Sequence, residues 1–109
     1  MTETIKILAQ AQSSGGTYVT GYTVSSTSAI ISTITICDAD TINDNVNVYT
    51  VKSGQTQSTS NTLYYNLPVY SGDTFASTIG ITLATGDSVV LYAALSSNIA
   101  IQLFGSEIT

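Results

Sequence analysis

The chain lacks several residue types on which catalytic sites depend. Its 109 residues include no histidine, no tryptophan and a single cysteine, Cys37. Without histidine there is no imidazole base to activate a serine or cysteine nucleophile. One thiolate also falls short of the Cys and His sets that bind zinc. The sequence therefore predicts a protein that is not an enzyme, with no catalytic, cofactor-binding or metal-binding residues and no cofactor.

The chain is also poor in charge, and above all in positive charge. Charged residues make up 8% of the sequence, against about 25% in an ordinary globular chain. The only basic residues, Lys6 and Lys52, are too few to neutralise a nucleic-acid backbone or to hold an anionic membrane surface. We therefore expect no nucleic-acid or membrane partner. Ser, Thr, Asn and Gln take the place of charge, which favours a surface that packs against other proteins.

Long apolar segments are absent as well. No run approaches the roughly 20 residues of a membrane helix, and the first segment, MTETIKILAQ, has no apolar core of a secretory leader. The length suits one domain over residues 1–109. We expect this domain to fold in a reducing cytoplasm. Cys37 has no partner for an internal disulfide and is predicted to be a small buried hydrophobe within a strand.

What the chain does contain is short segments rich in β-branched and aromatic residues, separated by turn residues, which is typical of strands. This pattern predicts an all-β fold, a single β-sandwich or jelly-roll-like domain of about eight antiparallel strands. Pro68 cannot donate a hydrogen bond to a sheet, so its segment is expected at an edge or a bend. The eight segments are IKIL (5–8), GTYVTGYTV (16–24), AIISTITIC (29–37), VNVYTV (46–51), TLYYNLPVY (62–70), TFASTIGITL (74–83), SVVLYAAL (88–95) and IAIQLF (99–104).

Alternation within these segments predicts which side chains face the core. Successive residues of a strand point to opposite faces, so the adjacent Tyr64 and Tyr65 must diverge. The residues predicted to face inward are Ile30, Ile34, Ile36, Val46, Val48, Val90, Tyr92, Ile99, Ile101 and Leu103.

Acidic and amide residues crowd into one stretch, from Asp38 to Asn45. The stretch fails the EF-hand pattern, because Ile42 stands at the fifth position and Tyr49 at the twelfth. A looser oxygen cage around calcium, built from Asp38, Asp40, Asp44 and carbonyl groups, stays open as an alternative. The favoured interpretation is a bend between two strands, because Asn and Asp bond their own backbone and tolerate left-handed conformations.

Two further features have a functional and a structural interpretation. Asp73 and Asp87 could form the carboxylate pair of a glycosidase if their turns lay at one end of the sandwich. Each follows a glycine, so a tight turn explains both, and there is no tryptophan to stack a sugar ring. The tyrosines could form a sugar-binding face, but strand packing or subunit contact is favoured. They are Tyr18, Tyr22, Tyr49, Tyr64, Tyr65, Tyr70 and Tyr92.

The order of segments over residues 8–108 resembles a group of short virion proteins encoded by tailed bacteriophages. The most specific parts are SGDTF (71–75), GITLATGDSVVLYA (80–93) and the closing FGSEI (104–108). These are strand and turn segments, so the resemblance implies an architecture and carries over no catalytic residues. The sequence departs from the group after YTV, where it has SST (25–27) in place of a turn with proline or alanine.

The resemblance implies a non-enzymatic virion structural protein, assembled in the host cytoplasm and located in the virion. A capsid decoration or cement protein is favoured, because the chain is short and has no shaft or coiled-coil segment. A tail, fibre or baseplate component, which could contact the host surface, is the alternative, and a carbohydrate-binding module is a third. The expected partners are the major capsid protein or other virion proteins. A homo-oligomer is also expected, with a homotrimer favoured.

Overall fold

The computed structural model describes residues 2–109. It contains eight antiparallel strands in two four-stranded sheets. All eight predicted strands are confirmed, and the first and last extend beyond their sequence patterns. One short 3-10 helix, Thr59–Asn61, precedes the fifth strand. The strands are β1 (Glu3–Gln12), β2 (Tyr18–Thr23), β3 (Ser28–Asp38), β4 (Asp44–Val51), β5 (Thr62–Val69), β6 (Thr74–Ala84), β7 (Ser88–Ala93) and β8 (Ile99–Ile108).

The strand order is that of a jelly roll. β1 pairs with β8, β2 with β7, β3 with β6 and β4 with β5, so the two halves of the chain form one antiparallel ribbon. The ribbon rolls up when β3 also pairs with β8 and β4 also pairs with β7. The resulting sheets have the orders β1-β8-β3-β6 and β2-β7-β4-β5. The predicted jelly-roll-like sandwich is therefore confirmed.

The sheet edges follow from this order. β1 and β6 border the first sheet, and β2 and β5 border the second. Pro68 lies in β5 and is exposed, as its missing N–H predicts. No helix within residues 2–109 has the length and apolar character needed to cross a bilayer.

The core fills the space between the two sheets, and most of the predicted inward residues are in it. Tyr64 packs against this core while Tyr65 is exposed, as expected for adjacent strand residues. The predicted residues found in the core are Ile34, Ile36, Val46, Val48, Ile99, Ile101 and Leu103.

The prediction for Ile30 is wrong, because β3 contains a bulge. Ile31 and Thr33 of β3 face the consecutive residues Gly105 and Phe104 of β8, so Ser32 is an extra residue in the ladder. A bulge of this kind shifts the alternation by one residue. Ile31 is therefore fully buried, and Ile30 is only half-buried on the other face.

The predictions for Val90 and Tyr92 are also wrong. Val89 and Leu91 take the inward positions of β7, and Val90 and Tyr92 lie on the opposite face. Val90 is nevertheless buried, in a second apolar cluster on the outer face of the second sheet. Apolar residues occupy both faces of β7, so alternation alone could not choose between them.

Candidate functional site

A groove lined with tyrosines lies on the outer face of the second sheet. Its floor follows from strand register, since Tyr18 of β2 pairs with Tyr92 of β7, and Tyr92 pairs with Asn47 of β4. Tyr49 lies two residues beyond Asn47 on the same face and pairs with Val90. Neighbouring cross-strand side chains on one face contact each other. These residues thus form a continuous surface across three strands, which we name the tyrosine groove.

The rings in the groove hold one another in place. The ring centroids of Tyr18 and Tyr92 lie 4.9 Å apart, and those of Tyr18 and Tyr49 lie 5.8 Å apart in an edge-on arrangement. Such contacts stabilise by about 0.5–1.5 kcal/mol beyond the buried area. Burial is the main cause that raises the pKa of the Tyr49 hydroxyl above its ordinary value, so this hydroxyl stays a neutral donor and acceptor at neutral pH.

A bulge in the edge strand β5 adds a fourth tyrosine. Between Val46 and Val48 of β4, β5 passes three residues rather than two, which inserts one residue near Tyr65 and Asn66. Asn66 has a φ of 51°, the one left-handed non-glycine residue among residues 2–109, and asparagine tolerates this conformation. Bulges re-aim side chains next to functional sites, and here Tyr65 lines the groove.

The carboxamide of Asn47 joins the bulge to the floor. Its Oδ1 accepts a hydrogen bond from the Asn66 N–H at 2.7 Å, and its Nδ2 donates to the Tyr49 hydroxyl at 3.1 Å. The side chain is therefore held at both ends. The Tyr49 hydroxyl accepts this bond from Asn47 and has the Tyr18 hydroxyl as a second hydrogen-bonding neighbour.

One wall of the groove comes from the loop before β5, through Gln57, Ser58 and Thr59. The hydrogen bonds within this polar stretch give it a defined shape. Asn61 accepts from the Ser58 N–H at 2.8 Å through Oδ1. Its Nδ2 donates to the carbonyl of Thr56 at 2.9 Å. The completed groove has a volume of about 530 Å³, and no Asp, Glu, Lys or Arg side chain lines it.

The acidic stretch forms a bend between β3 and β4, as its turn residues predict, and its carboxylates bind the backbone. Asp44 is buried, and its Oδ2 accepts from the N–H groups of Leu95 and Ser96 at 2.9 and 2.7 Å. Asp40 accepts from the Ser96 hydroxyl at 2.7 Å, the main cause that lowers the pKa of Asp40. These bonds tie the bend to the loop between β7 and β8.

No cation cage forms from these residues. Asp38 is fully buried, with Oδ1 accepting from the Asp40 N–H at 2.9 Å and Oδ2 unpaired within the described residues. Residues 2–109 contain no group of three or more acidic, cysteine or histidine side chains arranged to hold a metal ion. The open calcium alternative for Asp38, Asp40 and Asp44 therefore gains no support from their geometry.

The structure does not bring Asp73 and Asp87 together. Both lie in tight turns that precede and follow β6, and each N–H bonds the residue three positions earlier. The eleven residues of β6 span about 35 Å, so the glycosidase pair is excluded. Asp87 instead accepts from the N–H groups of Ala84 and Ser53, which lowers its pKa.

Cys37 is less buried than predicted. It is half-buried, because Ile36 takes the core position at this end of β3 and the next residue must point away from the core. The thiol has no disulfide partner among residues 2–109.

The pKa values of three carboxyl groups predict how the stability of the fold changes in acid. The pKa values of Asp40, Asp87 and Glu107 lie below their ordinary values of 3.8 for Asp and 4.5 for Glu. The pKa of Glu107 is lowered mainly by Lys6, whose Nζ lies 2.6 Å from Oε1 of Glu107. Carboxyl groups with lowered pKa values stabilise the fold above the unfolded-state pKa, and this contribution is lost as pH falls through the folded value. We expect urea midpoints to be equal at pH 7 and 5.5 and to fall below about pH 4. A midpoint that rises on acidification would contradict these assignments.

A second surface of interest is the outer face of the first sheet at its β1 edge. Ile7 pairs with Phe104, which points outward because its neighbour Leu103 faces the core. Ile5 and Ile30 both pair with Ser106 on this face. Ile5 and Ile7 are 84% and 51% exposed. We name the set of Ile5, Ile7, Ile30 and Phe104 the β1 ridge.

Comparison with known proteins adds a likeness of fold. No protein-family model matches the chain, and no curated protein matches it. Among solved structures, the chain is similar to a chain in the structure of infectious bursal disease virus, Gx strain, with a TM-score of 0.51 and 11% sequence identity. The match covers 96% of this chain and 30% of the viral chain, so this chain spans less than a third of that length. At this identity the likeness shows the fold alone.

Proposed function

We propose that the chain is a non-enzymatic virion structural protein that acts through protein–protein contacts, most specifically as a capsid decoration protein. The observation that carries the proposal is the β1 ridge, where exposed isoleucines lie on an edge strand that is paired on one side only. Full burial of one isoleucine side chain stabilises by about 1.5–3 kcal/mol. A partner that covers both side chains gains most of this free energy at Ile5, which is 84% exposed, and about half of it at Ile7, which is 51% exposed.

The backbone at this edge supports the same conclusion. The free side of β1 presents unpaired N–H and C=O groups, and natural proteins block such edges with charge, proline, bulges or a cover. β1 has a bulge near Leu8 and one lysine, Lys6, but its first half is regular and carries exposed apolar residues. An assembly contact would cover the strand, and closed symmetry among copies of the chain is the common arrangement.

The fold is compatible with this role. Jelly rolls occur in viral capsid and lectin domains, and the likeness to a chain in a virus structure extends over nearly the whole of this chain. The resemblance of SGDTF and GITLATGDSVVLYA to tailed-phage virion proteins supports a bacteriophage source. A tail, fibre or baseplate location is the second candidate, favoured by the tyrosine groove because such parts meet the host surface.

We expect the isolated chain to form a homotrimer through the β1 ridge. Light scattering at micromolar concentration measures the mass, and the double substitution Ile5→Lys and Ile7→Lys should shift it to a monomer, because two charges cannot be buried there without partners. Leu95→Lys is the matched control, since Leu95 is a large exposed residue outside the ridge, 69% exposed. A double variant that keeps the wild-type mass would show that the ridge is not the contact.

The particle role has its own test, which is quantification of the chain in purified virions by mass spectrometry. A decoration protein is expected in a fixed ratio to the major capsid protein, because it follows the symmetry of the shell.

A further inference from the structure

We propose that the tyrosine groove binds a neutral oligosaccharide. This inference goes beyond the capsid decoration role, because it concerns the outer face of the second sheet, whereas assembly is assigned to the first. It rests on three properties of the groove: exposed aromatic rings, uncharged hydrogen-bonding groups and a shape fixed before any ligand arrives.

The aromatic rings provide stacking surfaces. Tyr65 is 71% exposed and Tyr18 is 49% exposed, and both line the groove together with Tyr49 and Tyr92. A scattered exposed tyrosine needs no explanation, but a contiguous set in a concave surface marks a binding site. The tyrosine ring packs against apolar surface while its hydroxyl stays hydrogen-bonded. This suits a sugar, whose ring has apolar faces and a polar rim.

The polar groups of the groove are all neutral. The nearest positive charges, on Lys6 and Lys52, belong to residues that do not line it. Phosphate, sulfate and sialic acid ligands are recognised through cations, so the groove disfavours them. Amide and hydroxyl groups both donate and accept, which matches a ligand made of hydroxyls. The carboxamide of Gln57 has no hydrogen-bond partner of its own among residues 2–109 and is available to such a ligand.

A proline-rich peptide is the competing ligand, because aromatic grooves also bind such segments. A polyproline helix has no N–H at its prolines and presents chiefly carbonyl acceptors. Such a peptide would use only the hydrogen-bond donors of the groove. The side chains of Gln57, Ser58 and Thr59 contribute acceptors as well, which the peptide would leave unpaired. This balance favours a ligand that donates and accepts along its length.

The groove is preorganised, which lowers the entropic cost of binding. Asn47 is fixed between Asn66 and Tyr49, and Asn61 fixes the loop that carries Ser58. Its volume of about 530 Å³ falls within the range of small-molecule sites, about 300–1,000 Å³.

The test begins with the wild-type chain on an array of neutral and anionic glycans, followed by calorimetric titration with the neutral glycans that bind. Tyr65→Ala should weaken binding by about tenfold or more, because it removes the most exposed ring. Tyr65→Trp should keep the affinity or raise it. Tyr70→Ala is the matched control, because Tyr70 is an exposed tyrosine, 56% exposed, that does not line the groove. It should leave the affinity unchanged.

Several results would overturn the proposal. They are the absence of any binding on the array, binding confined to anionic glycans, and binding that Tyr65→Ala does not weaken. Binding of a proline-rich decapeptide that depends on Tyr65, without glycan binding, would assign the groove to peptides. The unfolding midpoints of all three variants are measured alongside, and because Tyr65 is exposed they should match the wild type.

Discussion

Replacing Ile34 with alanine is expected to lower the free energy of unfolding by about 2–5 kcal/mol. Ile34 has no exposed surface and belongs to the core between the two sheets. Alanine would remove the transfer free energy of three carbon atoms and leave a cavity that a close-packed sandwich can fill only in part. Chemical denaturation monitored by circular dichroism measures the change.

Ile30→Ala is the matched control, because it makes the same change in the same strand. Ile30 is half-buried on the outer face, on the other side of the Ser32 bulge. We expect it to cost about 1 kcal/mol or less in the monomeric chain, where it removes partly exposed surface and opens no internal cavity. If Ile30→Ala cost as much as Ile34→Ala, the two side chains would share the core face and β3 would have no bulge between them.

Replacing Gly105 with alanine is expected to lower the free energy of unfolding by about 3 kcal/mol or more, because it adds an atom where there is no space for one. Gly105 of β8 lies opposite the bulge in β3, and a Cβ built on it would overlap the backbone carbonyl of Ile30. Backbone cannot move aside as a flexible side chain can, so the pairing of the two central strands would be forced apart. Denaturation midpoints, or the yield of folded protein if the variant fails to fold, measure the effect.

Gly80→Ala is the control for Gly105→Ala. Gly80 lies in the edge strand β6, its φ is outside the left-handed region, and nothing lies within 4 Å of a Cβ added there. Alanine at such a position stabilises by about 0.4–1 kcal/mol, because it restricts the unfolded chain. Equal effects at Gly105 and Gly80 would contradict the close approach of β3 and β8.

The sequence predicts the strands well because period-two patterns report burial directly. It fails at Ile30 because one inserted residue, Ser32, reverses the alternation, and no local signal distinguishes a bulge from a polar residue in a regular strand. It fails at Val90 because β7 is apolar on both faces. There the outer face is covered by Tyr49 and Tyr92 from the same sheet, which only the strand order reveals.

The sequence predicts the residue types of the tyrosine groove but not their arrangement. The seven tyrosines are visible in the chain, but their division is not. Tyr22 and Tyr64 pack in or against the core, whereas Tyr18, Tyr49 and Tyr92 meet through strands distant in sequence. The carboxamide of Asn47 gains its role only from the pairing of β4 with β5.

The β1 ridge has a similar origin. The segment IKIL shows weak alternation, which predicts a strand but not which face is covered. Ile5 and Ile7 are exposed because β1 is an edge strand whose outer face has no layer above it. A signal was nevertheless present, since an apolar strand in a chain this poor in charge has few means to block association.

The copy number of the chain in purified virions tests the central claim most directly. Mass spectrometry with isotope-labelled standards would compare it with the major capsid protein. The account predicts about one copy per capsid subunit, or about one per three if a trimer occupies a symmetric position. A ratio below about one in twenty would move the protein to the tail, since tail assemblies occupy few symmetry positions. Its absence from virions would contradict the virion role altogether.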